Sequence, residues 1–184
     1  QQTASTRLGF SPSRTMRAAQ KLYESGFITY MRTDSTNLSV DAVTEMHTVI
    51  ASMYGKEYVE PHVYKTKSKS AQEAHEAIRP TSAKKLSAGI EGDQKALYAL
   101  IWARTMASQM TDAKVLRTKI IANVAEAVTP LIPHFTANGS RVMFDGWLKA
   151  DPGARCEDVE LPKVVAQDPL TLVAAHTEEK EPQP

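Results

Sequence analysis

The densest set of residues able to do chemistry is Phe27-Ile28-Thr29-Tyr30-Met31-Arg32-Thr33-Asp34-Ser35. On an extended strand, residues two apart point to the same side, so Tyr30, Arg32 and Asp34 would form one row. A phenol is a poor nucleophile near its ordinary pKa of about 10. A guanidinium two residues away could favour phenolate or hold a phosphate for attack, and Asp34 could orient that guanidinium. The plainer alternative is a half-buried, hydrogen-bonded Tyr beside a surface Arg–Asp pair, because Tyr nucleophiles are uncommon.

A second set is Gln72-Glu73-Ala74-His75-Glu76-Ala77-Ile78-Arg79-Pro80. If it is helical, His75 and Arg79 are i, i+4 neighbours and offer donors to one phosphate. A zincin helix is excluded, because the second His would fall at position 79, which is Arg. A solvated helix face with Arg near its end is the alternative. Next to it, Lys65-Thr66-Lys67-Ser68-Lys69-Ser70 suits a strip that touches phosphates without reading bases, or else is a plain loop. No Gly-rich phosphate cradle, nucleophile elbow or carboxylate pair stands out.

The elements that must position these groups follow from periodicity. Ser11-Pro12 reads as a helix start, with Met16, Ala19, Leu22 and Tyr23 on one face and Gly26 at the end. Phe27–Met31 reads as a short strand and Asp34–Asn37 as a turn. Ser39 caps a second helix carrying Val43, Met46, Ile50 and Met53, which stops before Gly55. Lys56–Ser70 reads as an exposed loop, and Gln72–Ile78 as a short helix stopped by Pro80. Glu91–Met110 is the clearest helix, with Trp102 and Met106 expected in the core rather than in a binding site. Beyond Leu116 the pattern shortens to strands at Thr118–Val124, Ala127–Ile132, Arg141–Phe144 and Leu170–Ala174, with Asn138-Gly139 as a hairpin turn. An α+β chain is therefore expected: a mainly helical domain over 1–115, then β material over 116–184. So few strands would make a thin sheet, a sign of partners elsewhere.

Composition narrows the class. The 184 residues are 42% hydrophobic and 23% charged, an ordinary globular balance. No apolar run approaches the ~18–20 residues of a bilayer span. The single Cys156 excludes an internal disulfide or a multi-Cys zinc site and suits a reducing compartment. A chain that opens on Gln1 without a basic, apolar leader is expected to be a processed or excised piece. Net charge is +1, which hides a gradient. Residues 1–85 hold 12 basic and 8 acidic side chains, and residues 117–184 hold 7 and 10. Such asymmetry hints at a polyanion-facing end.

Ile28–Ser35 resembles the active-site signature of the type IA DNA topoisomerases, and His75–Pro80 resembles their second signature. Gln1–Phe10, Ala19–Glu24, Leu100–Trp102 and Phe144–Trp147 are similar to the bacterial topoisomerase I branch, so the likeness runs through most of the chain. The resemblance implies that Tyr30 attacks a DNA phosphodiester, forming a transient 5′-phosphotyrosyl bond and freeing a 3′-OH. Arg32 would hold the scissile phosphate, His75 a nearby one, with Arg79 as a further DNA contact and Asp34 as an orienting group. It implies a winged-helix-like tyrosine domain followed by antiparallel strands from one leg of an arch. It also implies an ATP-independent isomerase, cytoplasmic and nucleoid-associated, acting as a monomer on single-stranded or negatively supercoiled DNA together with further domains. Mg²⁺ would be bound by a domain with no counterpart here, so no metal site is expected within these residues and the chain by itself is expected not to relax DNA. The competing reading from another class is a non-catalytic winged-helix DNA-binding module; a third is a plain interaction domain.

Overall fold

In the computed structural model the described residues are 1–64, 75–90, 92–123, 134–176 and 178–179. They form an α+β chain of four α-helices, α1 (Gln2–Leu8), α2 (Pro12–Glu24), α3 (Val40–Met53) and α4 (Gly92–Ala107). Two antiparallel strands follow, β1 (Lys114–Ala122) and β2 (Phe135–Phe144). Two compact units arise, one from Gln1–Val115 with Val142–Cys156, the other from Leu116–Arg141 with Glu157–Pro184.

The helices of the first unit begin and end where local chemistry requires. Ser11 caps α2 by accepting the Arg14 N–H, with Pro12 in the first turn, and Gly26 follows its end at φ 71°. Only a residue without Cβ adopts that left-handed turn cheaply, and it reverses the chain into Phe27. Ser39 caps α3 by accepting the Ala42 N–H. Leu22 of α2, Met46 and Ile50 of α3, and Tyr98 and Met106 of α4 are sealed from solvent, with Ile28 and Met110 among them. Trp102 lies in this core as well, and its indole N–H donates to Ala83 O at 2.8 Å. The Tyr98 hydroxyl donates to Lys85 O at 2.7 Å, so α4 pins the irregular stretch 81–90 through two aromatic side chains. α1, which no periodicity or cap had announced, is anchored by Arg7, which donates to the buried Asp151 carboxylate at 2.6 Å.

Four expectations change. Phe27–Met31 is not a strand; only Ile28 pairs, with Pro80. The described part of the expected helix over 72–78 is not helical, and residues 71–74 fall outside the described set, as does the Lys-rich strip 65–70. Asn138-Gly139 is not a turn but lies within β2. Residues 170–174 form no strand, and the segment expected as a strand over 127–132 lies outside the described residues.

In the second unit the glycine has a different use. Ser140 and Val159 exchange backbone hydrogen bonds at 3.0 and 2.8 Å, drawing a further segment across β2. A Cβ on Gly139 would stand 2.7 Å from Val159 O and 2.8 Å from Leu161 Cγ. The dipeptide mimics a hairpin turn, yet the glycine serves close approach of a neighbouring backbone. Gly139→Ala is therefore expected to detach the 157–161 segment, read as faster amide exchange at Ser140 and Val159. Unchanged protection there would contradict the close-approach account.

Two carboxylates brace the first unit. Glu45 accepts from Ser82 Oγ at 2.8 Å and the Ala83 N–H at 3.1 Å. Burial pushes its pKa up, but those bonds and nearby Lys84 outweigh it, and the net shift is downward. Asp145 behaves likewise: burial pushes it up, and the Tyr58 hydroxyl at 2.8 Å together with Lys149 brings it below the ordinary value. A folded-state pKa below the unfolded one contributes stability above the ordinary carboxylate range, which is lost as pH falls through the folded value. Glu45→Gln should thus lower Tm at pH 7, and the gap to wild type should shrink below about pH 4 as the native carboxylate protonates. A gap that is constant with pH would contradict it.

Candidate active site around Tyr30

The site is built where the end of α2 meets the segment 75–81. After Gly26, Phe27 N donates to Leu22 O at 2.9 Å, closing the helix, and Ile28 sinks into the core at 1% exposure. Thr29 N donates to Arg79 O at 2.9 Å and Thr81 N to Phe27 O at 3.0 Å. These two bonds flank the Ile28–Pro80 pair and leave room for no more of a ladder. The next donor, the Arg79 N–H, goes to the Thr29 hydroxyl at 2.9 Å instead of to a carbonyl. That hydroxyl in turn donates to Ala77 O at 2.7 Å. One threonine side chain thus replaces the next rung, and this is the physical reason the expected strand and its row of Tyr30, Arg32 and Asp34 do not form.

The same bonds explain why 75–80 is not helical. Ala77 N donates to Asn37 O at 2.8 Å and Arg79 N to Thr29, so neither N–H is available to a carbonyl four residues back. Arg79, moreover, precedes a proline, which disfavours helical backbone there. His75 and Arg79 consequently do not share a helix face. His75 lies with Tyr30, ring centroids 5.6 Å apart. Arg79 turns to Glu76, donating from Nη2 at 2.6 Å and Nε at 3.1 Å, and from Nη1 to Pro80 O at 2.9 Å.

Tyr30 is half-buried and packs against two rings. His75 is one, and Tyr23, from the last turn of α2, meets it edge-on at 5.3 Å. Edge-to-face aromatic packing of this kind fixes ring orientation at a cost of little entropy. Met31 then turns into the core, which carries Arg32 outward to an exposed position. Thr33 and Ser35 hold the following turn: Thr33 Oγ1 accepts the Ser35 N–H at 3.0 Å, and Ser35 Oγ accepts the Asn37 N–H at 3.2 Å. Asp34, between them, is exposed. The structure therefore brings together Tyr30 and His75, 45 positions apart in sequence, and sets Arg32 in solvent two residues from the phenol. Arg79 is engaged elsewhere.

Three residues at the site had no assigned role in the sequence: Tyr23, Thr29 and Glu76. Tyr23 carried a detectable signal, since it falls seven residues before Tyr30 on the apolar face of α2; the other two act through long-range hydrogen bonds that no local pattern announces. The Glu76 carboxyl is pushed up by burial but pulled further down by hydrogen bonds from Ser39 and Arg79 and by the Arg79 charge. It is an anion at neutral pH. Beyond the Tyr30 site, a groove of about 970 Å³ runs between the start of α1, α4 and the stretch 31–38, and Tyr30, Arg32 and His75 do not line it. No group of three or more His, Cys, Asp or Glu able to hold a metal ion occurs among the described residues.

A half-buried phenol packed against a second tyrosine ring and an imidazole, with a solvent-facing guanidinium nearby, is suited to nucleophilic attack on a phosphodiester. DNA topoisomerase 1 of Synechocystis is 46% identical over 172 residues, covering 88% of this chain and 18% of the relative. DNA topoisomerase 1 of Escherichia coli is 46% identical over 180 residues, covering 94% and 20%. The structure of full-length topoisomerase I from Thermotoga maritima superposes with a TM-score of 0.70 at 37% identity, over 89% of this chain and 27% of that one. The chain spans about a fifth of the length of the curated relatives it matches. Since the family model described as DNA topoisomerase matches residues 1–184 throughout, the chain belongs to the DNA topoisomerase family.

Proposed function

We propose that this chain carries the strand-cleaving tyrosine of a type IA DNA topoisomerase. The observation that supports it most is the packing of His75 against Tyr30, which unites two separate signatures at one phenol. In the proposed reaction Tyr30 Oη attacks the phosphorus of a backbone phosphodiester. A P–O bond to tyrosine forms, the P–O3′ bond breaks, and the phenol proton is balanced by protonation of the departing 3′-oxygen. The 5′-phosphate remains on Tyr30 and a 3′-OH is freed. One phosphodiester replaces another, so the bond energy is kept and the 3′-OH can reverse the step without ATP. Another strand passes while the break is open, and negative supercoils relax.

Arg32 is assigned the scissile phosphate, where its charge offsets the negative charge that builds up on the phosphoryl oxygens. His75 is assigned a neighbouring phosphate. Arg79 would reach DNA only with the N–H groups that Glu76 and Pro80 leave over, and Asp34, exposed beside Arg32, would orient it once DNA is bound. Residues 1–115 are read as the tyrosine domain and 116–184 as part of the arch, with the Mg²⁺-binding acidic residues, DNA strand passage and nucleoid association belonging to the longer enzyme. No helix among the described residues is long and apolar enough to cross a membrane.

In the full-length protein, Tyr30→Phe should abolish denaturant-resistant capture of a single-stranded oligonucleotide while leaving non-covalent binding in place. Arg32→Ala should slow cleavage and rejoining by about 10²–10³-fold, the usual loss when one charge-stabilising donor is removed. Capture that survives Tyr30→Phe would place the nucleophile on another residue, and no denaturant-resistant capture by the unsubstituted protein would instead favour a non-catalytic winged-helix module.

A further inference from the structure

The position of His75 is set by residues outside the proposed site. Among the described residues no hydrogen bond holds its ring; it packs on Tyr30, and its backbone leads directly into Glu76. Glu76 is tied on both oxygens. Oε1 accepts the Ser39 N–H at 2.8 Å, at the N-cap of α3, where the helix end favours an anion. Oε2 accepts Arg79 Nη2 at 2.6 Å and Nε at 3.1 Å. The pair is half-shielded, with side-chain exposure of 30% for Glu76 and 15% for Arg79. Through it the segment that begins at His75 is fastened to α3 on one side and, by way of Arg79 N and Ala77 O, to Thr29 on the other. Thr29 is the residue before Tyr30. Glu76 therefore links the frame of the imidazole to the frame of the phenol without touching either ring.

We propose that Glu76 is a positioning residue for strand cleavage, holding His75 against Tyr30 through its bonds to Ser39 and Arg79. The proposal rests on Tyr30 being the nucleophile. Arg79 then belongs to the same device: its guanidinium braces Glu76 and the Pro80 carbonyl, and its main contribution is to site geometry. Displacing a catalytic group by about 1 Å can cost on the order of 10²-fold in rate. A change that leaves the backbone bonds of Thr29 in place should cost less.

The test uses the full-length protein and a single-stranded oligonucleotide, reading the rate of covalent adduct formation at saturation, the oligonucleotide Kd and Tm. Glu76→Gln should slow adduct formation by about tenfold, with Kd changed less than about threefold. Glu76→Ala should slow it further. In the His75→Ala background, Glu76→Gln should add nothing, because its effect passes through the imidazole. A merely structural role would lower Tm and multiply with His75→Ala. Multiplicative losses, or a normal rate in Glu76→Gln, would overturn the proposal. If Glu76→Gln does not fold, Arg79→Lys enters the same cycle with His75→Ala, and the same two outcomes decide. Loss of adduct in Tyr30→Phe with Glu76→Gln unaffected would sink this inference alone; adduct persisting in Tyr30→Phe would sink the functional reading beneath it.

Discussion

The arrangement around Tyr30 depends on one hydroxyl. Thr29 Oγ1 donates to Ala77 O and accepts from the Arg79 N–H, while the Thr29 backbone N–H donates to Arg79 O. These bonds place two segments distant in sequence side by side at one point, and they end the pairing there. A longer ladder would have made the Tyr30 segment a strand with alternate residues on opposite faces. The early stop instead frees the chain to set Tyr30 against His75, send Met31 into the core and turn Arg32 outward. A half-buried polar side chain that satisfies two backbone groups is costly to leave unpaired, which is why such a contact can fix geometry more firmly than its modest net energy suggests.

What could be read in the sequence was whatever depends on neighbours along the chain. The serines that cap α2 and α3, Gly26 as a left-handed stop, and Trp102 and Met106 in the core all follow from local rules, and the structure shows each. The readings that changed are those in which a tertiary partner outbid local preference. β-branched and aromatic residues at 27–31 look like a strand, but the Arg79 N–H that would continue one is taken by the Thr29 hydroxyl. Asn138-Gly139 carries the strongest short hairpin signal, yet the absent Cβ is used to admit Val159 and Leu161. Of the site, Tyr30, Arg32 and His75 stood out by residue type and by resemblance; Glu76 did not, because a carboxylate beside a histidine has no visible purpose until Ser39 and Arg79 are brought to it.

The charge gradient also takes on a physical meaning. The basic excess of residues 1–85 is not a continuous surface, since Arg7, Arg14 and Arg79 are each paired with a carboxylate, Asp151, Asp93 and Glu76. These cations are spent on the fold. Arg32 is exposed beside the phenol, a placement suited to a protein that must grip a phosphate at one point and let it go again. Net charge near zero is compatible with that task.

The central claim is that Tyr30, and no other side chain, becomes joined to DNA. Trapping the full-length protein on an oligonucleotide, digesting the DNA to a short remnant and sequencing the tryptic peptide Leu22–Arg32 by mass spectrometry tests it most directly. That peptide contains both Tyr23 and Tyr30. The account predicts a 5′-linked nucleotide phosphate on Tyr30 and an unmodified Tyr23. A remnant on Tyr23, on any other residue, or joined through a 3′-phosphate would contradict it.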